Sequence, residues 1–314
     1  MDNSICLSKR FINTDAKPTV ALLQQQSARL TRNLLADAAS AHRRNTYMAQ
    51  TIGIVGSGLV GKAAAHLAVT AGYHVVISNS RGPGTLDALI AELGPRARAG
   101  TVEEAIAAAD IVSIAIPLAA FEALPRDAFD GKIVLDQSNY YPGMGDFRRA
   151  DLDGGELTSS ELMQRQLRGA RLVKGLHNLS WIHMRSNARP KGDAARTTLP
   201  IAGDDTAAKE AVTRFLEAVG YDVVDAGSLA DSWRIEPGTP IYFWRYAPVV
   251  PQDASDDETK RIYQQRGVPV SPDEARRLVA QAVRPSPIGG TLEGMPQVHV
   301  DLFLEQASAD TVKR

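Results

Sequence analysis

Residues 51–79 read TIGIVGSGLVGKAAAHLAVTAGYHVVISN, and the order of residue types in this stretch indicates one kind of α/β domain. The β-branched run Thr51–Val55 is typical of a buried strand, and the alanine-rich stretch 62–71 is typical of a helix. A second apolar run, 74–79, follows directly. A strand, a turn, a helix and another strand in this order predict a βαβ unit with two parallel strands.

Three glycines separate the first strand from the helix, and Gly56, Gly58 and Gly61 have the spacing Gly-x-Gly-x-x-Gly. In a βαβ unit the first glycine permits the tight turn and the second lets the backbone approach a pyrophosphate. The third lets the helix pack closely on the strand. The N-terminus of the helix then offers free N–H groups and a positive dipole to the phosphates. The sequence therefore predicts a dinucleotide-binding domain.

The residues after the second strand indicate which dinucleotide binds. NAD-binding domains usually place Asp or Glu there to hold the ribose 2′-hydroxyl. This chain instead reads Asn79-Ser80-Arg81 and has no carboxylate before Asp87. Arg81 offers a planar set of donors suited to phosphate oxygens, and Ser80 adds a hydroxyl group. We therefore expect NADP(H) rather than NAD(H), with its 2′-phosphate at this segment.

Two further apolar runs, 110–117 and 132–139, continue the alternation, and we expect a short alanine-rich helix between them. Alternating strands and helices predict a parallel, doubly wound sheet of the Rossmann type. Ligands bind at the carboxyl ends of the strands of such a sheet. Ile116, Pro117 and the pair Ser138-Asn139 are therefore expected beside the nicotinamide. For Asn139, ordinary strand termination is nearly as good an explanation.

The composition argues against several functional classes. The 35 Lys and Arg residues balance 36 Asp and Glu residues, for a net charge of −1. Nothing therefore favours binding to nucleic acid or to an anionic membrane. The single cysteine, Cys6, rules out an intrachain disulfide framework and a multi-thiolate zinc site, and fits a reducing cytoplasm. The apolar runs are too short to span a membrane. We expect a cytoplasmic protein without a metal centre.

The chain is expected to have four parts. They are an N-terminal extension (1–50), the NADP-binding domain (51–178), a small α/β unit (179–250) and a C-terminal extension (251–314). In the first part, leucines at helical spacing within 19–44 predict an amphipathic helix. The basic, acid-poor start resembles an organellar transit peptide, but an upstream extension, with translation starting at Met48, is the simpler interpretation.

The later parts contain recognisable elements. The spacing of Thr158 and Glu161 predicts a capping box at the start of a helix. Apolar runs at 199–205 and 221–227 flank a helical stretch, which predicts a second β-α-β unit on the edge of the domain, forming one wall of the cleft. The polar stretch 253–260 is typical of a linker. A helix from Ser271 to Val283 is expected next, and then one short strand or helix at 298–304.

Seven motifs, in unbroken order between residues 49 and 240, resemble the NADPH-dependent reductases of coenzyme F420, the F420H2:NADP+ oxidoreductase family. They are GSGLVGK at 56–62, NSRGP at 79–83, AIP at 115–117, TSSEL at 158–162, VKGLHN at 173–178, PIAGDD at 200–205 and VDAGSL at 224–229. Related reductases share the glycine loop alone, whereas the ordered set is much more specific.

This resemblance implies a Rossmann domain with a small C-terminal α/β appendage, association as a homodimer, and hydride exchange between NADP(H) and a deazaflavin or flavin-like acceptor. In such a reaction the two cofactors carry the chemistry, and the protein supplies orientation and excludes water. The resemblance also assigns roles to residues. The phosphates are assigned to Gly56, Ser57, Gly58 and Leu59, the 2′-phosphate to Ser80 and Arg81, and the nicotinamide side to Ile116 and Pro117. His177 matches a family histidine near the deazaflavin and is the candidate catalytic residue. A strand-end histidine bonded only to backbone is an equally good interpretation.

The chain also departs from the family pattern, so the identity of the acceptor is open. Trp181 stands where small residues often occur, and the aromatic segment 241–248 and the last sixty or so residues have no recognised counterpart. A β-hydroxyacid dehydrogenase or imine reductase would use Lys174 and Asn178 as a catalytic pair. On a strand, however, residues four apart are separated by about 13 Å. A non-enzymatic NADPH-sensing protein is a third interpretation.

Overall fold

A computed structural model describes residues 50–142, 147–291 and 295–312 of the chain, with side chains as far as Gln306. The helix expected within 19–44 lies outside these residues. In the described part, eight strands form one sheet in the order β3-β2-β1-β4-β5-β6-β7-β8. The strands are β1 (Thr51–Val55), β2 (His74–Ser78), β3 (Ala97–Ala99), β4 (Ile111–Ile114), β5 (Ile133–Asp136), β6 (Arg171–Lys174), β7 (Thr198–Gly203) and β8 (Asp222–Asp225).

The sheet confirms the predicted doubly wound Rossmann class. All neighbouring strands from β3 to β6 are parallel, and so are β7 and β8. The small β-α-β unit extends this sheet, because β7 pairs with β6 in the antiparallel sense. Successive strand residues belong to different apolar clusters, as Val134 and Leu135 do. Because side chains alternate across a sheet, both faces of the central strands are buried.

Helices cover the sheet, and their first turns explain most of their boundaries. They are α1 (Leu59–Thr70), α2 (Asp87–Leu93), α3 (Val102–Ala108), α4 (Ala150–Asp153), α5 (Ser159–Gln166), α6 (Trp181–Ser186), α7 (Thr206–Val219), α8 (Asp256–Tyr263), α9 (Pro272–Ala280) and α10 (Gln297–Val312). The Thr158–Glu161 capping box is confirmed, with each side chain bonded to the other residue's backbone N–H. Ser271 caps α9 by accepting from the N–H of Glu274.

Two expected elements are wrong. The alanine-rich helix between β4 and β5 is replaced by two short 3-10 helices, Leu118–Ala123 and Arg126–Phe129. Pro125 separates the two, because proline disfavours helical backbone in the residue before it, and Leu124 is extended. The expected linker at 253–260 is largely helix α8, because Ser255 caps its N-terminus and three acidic residues lie in its first turn. The tail element at 298–304 is helical, as part of α10.

Candidate active site

The candidate site lies where five parallel strands end at the same level. Val55 of β1 is in register with Ser78 of β2 and Ile114 of β4, and the register continues through Asp136 of β5 to Lys174 of β6. The residues that follow these five positions therefore leave the sheet side by side. This shared edge is where ligands bind in doubly wound sheets.

The glycine loop has the geometry that its sequence predicts. Gly56 has a positive φ of 110°, and a Cβ there would lie 2.3 Å from the carbonyl oxygen of Ala115. A Cβ on Gly61 would lie 1.9 Å from the carbonyl oxygen of Gly56, so the helix packs closely on the turn. Gly58 differs, because nothing lies within 4 Å of its Cβ position. The space beside Gly58 is open for a ligand to approach the backbone.

The N-terminus of α1 is ready to hold an anion. Gly58 is its N-cap residue, no side chain caps it, and its first turn contains no acidic residue. The helix has 12 residues, so its first N–H groups and the positive end of its dipole point at the loop. Ser57 and Leu59 lie on either side of Gly58 in this loop. These are the features that a pyrophosphate requires.

Asn79 joins the glycine loop to the loop that follows β2. Its amide nitrogen donates to the Ser57 hydroxyl at 3.2 Å and to the Thr85 hydroxyl at 2.9 Å, and its amide oxygen accepts from the N–H of Arg81 at 3.0 Å. Ser80 and Arg81 are both exposed. No described residue accepts a hydrogen bond from the Arg81 guanidinium in the structure. These donors are therefore available to a phosphate in solvent.

A cavity of about 350 Å³ extends from the glycine loop along the carboxyl ends of β4, β5 and β6. Gly58, Leu59, Ile116, Pro117, Asn139 and His177, all predicted site residues, line it. The other predicted residues, Gly56, Ser57, Gly61, Asn79, Ser80 and Arg81, do not line it; they shape the loop or lie at the position expected for the 2′-phosphate. The structure thus places the predicted residues in two groups at one edge of the sheet.

His177 lines this cavity, and only one of its two ring nitrogens has a hydrogen-bond partner among the described residues. Its Nδ1 lies 3.1 Å from the amide oxygen of Asn139, whose amide nitrogen donates to the His177 carbonyl oxygen at 3.3 Å. The Asn139 amide oxygen can only accept a hydrogen bond. The Nδ1 atom of His177 therefore carries the proton, and Nε2 is an unprotonated acceptor. Nε2 is buried and has no hydrogen-bond partner among the described residues. Burial, with a further contribution from the charge of Lys174, holds the pKa of His177 well below its usual value.

Two other lining residues have buried polar atoms without a partner in the described ranges. They are the side-chain oxygen of Gln137 and the indole nitrogen of Trp181. The Gln137 nitrogen is already used, because it donates to the Ser113 hydroxyl at 2.5 Å. Three residues that line the cavity, Gln137, His177 and Trp181, therefore each carry a buried polar atom without a partner in the described ranges. Buried polar atoms of this kind are normally satisfied, and a bound ring with polar edges would satisfy them.

Aromatic side chains form the wall opposite the glycine loop. They are Tyr141, Phe147, Trp181, Tyr242, Phe243 and Phe303. The hydroxyl groups of Tyr141 and Tyr242 share a hydrogen bond of 2.6 Å. Burial raises the pKa of Tyr242 well above its usual value, so this hydroxyl stays protonated. Phe243 and Leu176 both have a φ of 53°, a conformation that non-glycine residues seldom adopt. Such strained residues cluster at functional sites.

The C-terminal segment contributes a further part of the cavity lining. Met295, His299, Val300 and Phe303 all line it. The His299 ring contacts Phe243 edge-on, with ring centroids 4.9 Å apart. Burial lowers the pKa of His299 to about 4, so its imidazole is neutral at physiological pH. Nothing in the local sequence around these four residues, or around Gln137, marks them as neighbours of the glycine loop.

A charged cluster lies buried behind the site and does not line it. Lys174 and Asp136 are fully buried, and the Lys174 ammonium lies 3.4 Å from Asp136 and 3.9 Å from Glu236. It donates to the Ser159 hydroxyl and to the carbonyl oxygen of Ser138. Lys174 therefore holds the peptide that leads into Asn139. A catalytic lysine would line the cavity, and Lys174 does not.

Asn178, the other member of the alternative catalytic pair, is also fully buried. Its side-chain amide nitrogen donates to the carbonyl oxygen of Ile235 at 2.7 Å, and its backbone carbonyl oxygen accepts from the N–H of Phe243. It does not line the cavity. Asn178 therefore fixes the segment that carries the aromatic wall, and the Lys174–Asn178 pair is not placed for catalysis.

Comparison with known proteins identifies the domain that holds the glycine loop. Residues 51–140 match the family described as NADP oxidoreductase coenzyme F420-dependent. The domain belongs to this family. It is therefore an NADP-binding domain of an oxidoreductase family, as the motifs had indicated. The match ends at Tyr140, so His177 and the C-terminal part of the cavity lie outside it.

Solved structures and curated proteins extend the comparison. A hypothetical protein of Sinorhizobium meliloti is 29% identical, with a TM-score of 0.54 over 62% of this chain and 93% of its own. An Arthrobacter sp. FB24 protein, whose name suggests an F420-dependent NADP reductase, shares the fold at 24% identity and a TM-score of 0.51, over 58% of this chain and 87% of its own. Metalloreductase STEAP3 of Rattus norvegicus is 27% identical over 60% of this chain.

The matches to the two curated relatives cover less than half of each relative's length. The chain spans 36% of STEAP3 and 41% of another curated relative. In the described ranges, none of the helices has the length and apolarity of a membrane span. Those ranges also contain no cluster of three His, Cys, Asp or Glu side chains that could hold a metal ion.

Proposed function

We propose that the protein is an NADPH-dependent oxidoreductase that exchanges a hydride between NADP(H) and a deazaflavin or flavin-like ring. One observation carries this proposal: the glycine loop opens into the same cavity as His177 and the aromatic wall. A dinucleotide with its pyrophosphate at Gly58 would therefore direct its nicotinamide toward Ile116, Pro117 and the aromatic side chains. The cofactor would supply the hydride, and the protein would supply position and exclude water.

The proposed part of His177 is to orient a ring and not to donate a proton. Its pKa lies well below the usual value, so the imidazole is neutral near pH 7 and cannot act as a general acid there. Its free Nε2 accepts a hydrogen bond from an N–H group of the bound ring. Asn139 keeps the proton on Nδ1 and so keeps Nε2 available. Transfer of a hydride to a ring carbon needs such orientation more than it needs an acid.

The phosphate contacts are part of the same proposal. Gly58, Ser57 and Leu59 would hold the pyrophosphate at the N-terminus of α1, and Ser80 with Arg81 would hold the 2′-phosphate. The readings as a β-hydroxyacid dehydrogenase or imine reductase depended on Lys174 and Asn178, which do not line the cavity. A homodimer and a small-molecule acceptor stay predictions of the family resemblance, and a cytoplasmic location stays a prediction of the composition.

Rapid mixing tests the proposal directly. Enzyme and NADPH are mixed with oxidised coenzyme F420, with FMN, the uncharged ring lumiflavin and ferric chelate in parallel, and absorbance is followed. Bleaching of a deazaflavin or flavin band at the rate of NADPH oxidation supports hydride transfer. If NADPH binds tightly but oxidises with none of these acceptors, the proposed activity is wrong and the sensor interpretation gains support.

Two histidine variants refine that experiment. His177→Ala removes one hydrogen bond to the ring and should slow transfer by about 3- to 10-fold, the usual value of a neutral hydrogen bond. His74→Ala is the matched control, because His74 is exposed at the opposite, amino end of β2. Equal rates in the two variants would remove His177 from the site.

A further inference from the structure

One part of the cavity lining comes from a C-terminal segment that the matched family domain does not contain. Helix α10 contributes His299, Val300 and Phe303 to the lining, and Met295 precedes it. The His299 ring lies between two aromatic wall residues, 4.9 Å from the ring centroid of Phe243 and 6.3 Å from that of Trp181. The segment is therefore in direct contact with the wall that faces the proposed acceptor.

The described contacts that attach this segment to the rest of the protein are mainly with helix α8. Leu302 is buried against Ala247 and Tyr263, and the Lys260 ammonium forms an ion pair of 2.6 Å with Glu305. Both Lys260 and Tyr263 belong to α8. The contacts hold the helix in one place over the cavity, while Phe303 stays half-exposed at the edge. The segment is thus positioned as a cover over one end of the site.

Size is the first property that this cover controls. Small-molecule pockets usually measure about 300–1,000 Å³, and this cavity, at about 350 Å³, is near the lower limit. Part of that volume adjoins Gly58 and Leu59 and would belong to the dinucleotide. The space that remains beside His177 and His299 suits one compact ring system and not a ring with a long substituent.

Charge is the second property. Among the described residues that line the cavity, none is Asp, Glu, Lys or Arg. Both lining histidines have lowered pKa values because they are buried, so both are neutral near pH 7. A charged group on the acceptor would lose water without gaining a partner, which is unfavourable. The lining instead offers flat apolar faces and single hydrogen bonds.

We propose that Met295–Phe303 caps the acceptor end of the cavity and selects a compact, uncharged ring as the acceptor. The proposal rests on the proposed function, since it deepens the description of the same site. The cap acts by exclusion: it sets the length that is available to a substituent, and the neutral lining disfavours ionic groups. Acceptor choice is then a property of the C-terminal segment and not of the NADP-binding domain.

Three compounds with the same isoalloxazine ring separate these effects. Lumiflavin carries only methyl groups, riboflavin adds an uncharged ribityl chain, and FMN adds a phosphate to that chain. Binding of each is measured by flavin fluorescence, with NADP+ present, to the full-length wild-type protein. We expect lumiflavin to bind about tenfold more tightly than riboflavin, a common discrimination for extra bulk in a closed pocket. FMN should bind no better than riboflavin.

Two variants of α10 provide the matched comparison. Val300→Ala combined with Phe303→Ala enlarges the cavity at the cap, and the preference for lumiflavin should fall to about threefold or less. Leu304→Ala is the control, because Leu304 follows Phe303, is similarly exposed and does not line the cavity. It should keep the wild-type preference. Circular dichroism checks that all the variants are folded.

The outcomes distinguish the cap from the reaction. Three results would overturn the proposal that the cap selects by size. They are equal affinities of lumiflavin and riboflavin in the wild type, an unchanged preference in the double variant, and no binding of any flavin. Tighter binding of FMN than riboflavin would overturn the charge part. If selective binding occurs without NADPH oxidation, the cap stands and hydride transfer to flavins fails. If NADPH reduces all three equally, the proposed function stands and the cap fails.

Discussion

Replacing Lys174 by methionine should destabilise the protein strongly. The ammonium group is fully buried between Asp136 and Glu236, at 3.4 and 3.9 Å, and also donates to Ser159. Its removal leaves two buried carboxylates without their cation, and breaking a buried ion pair in this way costs about 3–5 kcal/mol. At about 2–4 °C per kcal/mol for a domain of this size, the melting temperature should fall by about 6–20 °C.

Thermal unfolding followed by circular dichroism measures this change. Lys209→Met is the matched control, since Lys209 pairs with Asp225 at 2.7 Å but Asp225 is more than half exposed. Surface pairs contribute about 1 kcal/mol or less, so the control should melt within about 4 °C of the wild type. Adding Asp136→Asn and Glu236→Gln to Lys174→Met should restore part of the loss. A melting temperature for Lys174→Met within 4 °C of the wild type would refute the argument from burial.

Three further results are expected. Arg81→Glu should weaken NADPH binding by about 10- to 100-fold and NADH binding by about threefold or less, because charge-assisted hydrogen bonds to phosphate are lost; equal changes in titration calorimetry would place the 2′-phosphate elsewhere. Gly58→Ala should fold normally but weaken NADPH binding by about tenfold or more, since its Cβ position is open only until a pyrophosphate approaches. Gly84→Ala, which is equally uncrowded, should leave binding unchanged. Burial lowers the pKa of His299 to about 4 in the folded protein, whereas a histidine in the unfolded chain has a pKa near 6.5. The free energy of unfolding should therefore decrease as pH falls from 7 toward 4, by at most about 1.4 kcal/mol per pH unit from this group. Urea unfolding at pH 7 and pH 5 should show a smaller decrease for His299→Asn, and an unchanged decrease would contradict the assignment.

The dinucleotide half of the site could be predicted because its contacts are local in sequence. The run from Thr51 to Asn79 encodes a strand, a turn, a helix and a strand, and each residue type has a local reason to be there. Only glycine fits at Gly56 and Gly61, where a Cβ would meet backbone within 2.3 Å. The absence of a carboxylate after β2 likewise needs no tertiary information.

The acceptor half could not be predicted because it depends on contacts between distant segments. Tyr141 bonds to Tyr242, 101 residues away, and His299 meets Phe243 across 56 positions. No local pattern specifies such pairs. Trp181 and the segment 241–248 stood out only as departures from the family.

The prediction of a linker at 253–260 was wrong because the polar composition of this stretch was interpreted as irregular structure. The acidic residues Asp256 and Asp257 resemble a linker by composition, yet they lie in the first turn of α8, where the helix dipole favours them. The apolar run 132–139 predicted a strand that continues to Asn139, whereas β5 ends at Asp136. Asp136 ends the strand because its carboxylate accepts from the N–H of Ser138, which turns the chain away from the sheet.

The separation of the two halves along the chain has an evolutionary consequence. The NADP-binding elements lie between Thr51 and Asn139, whereas the cap begins only at Met295, far from them in sequence. Under the proposed cap, a substitution in the last helix changes which compound is reduced and leaves the residues of β1, α1 and β2 as they are. The binding of the dinucleotide and the choice of acceptor can then change independently of each other.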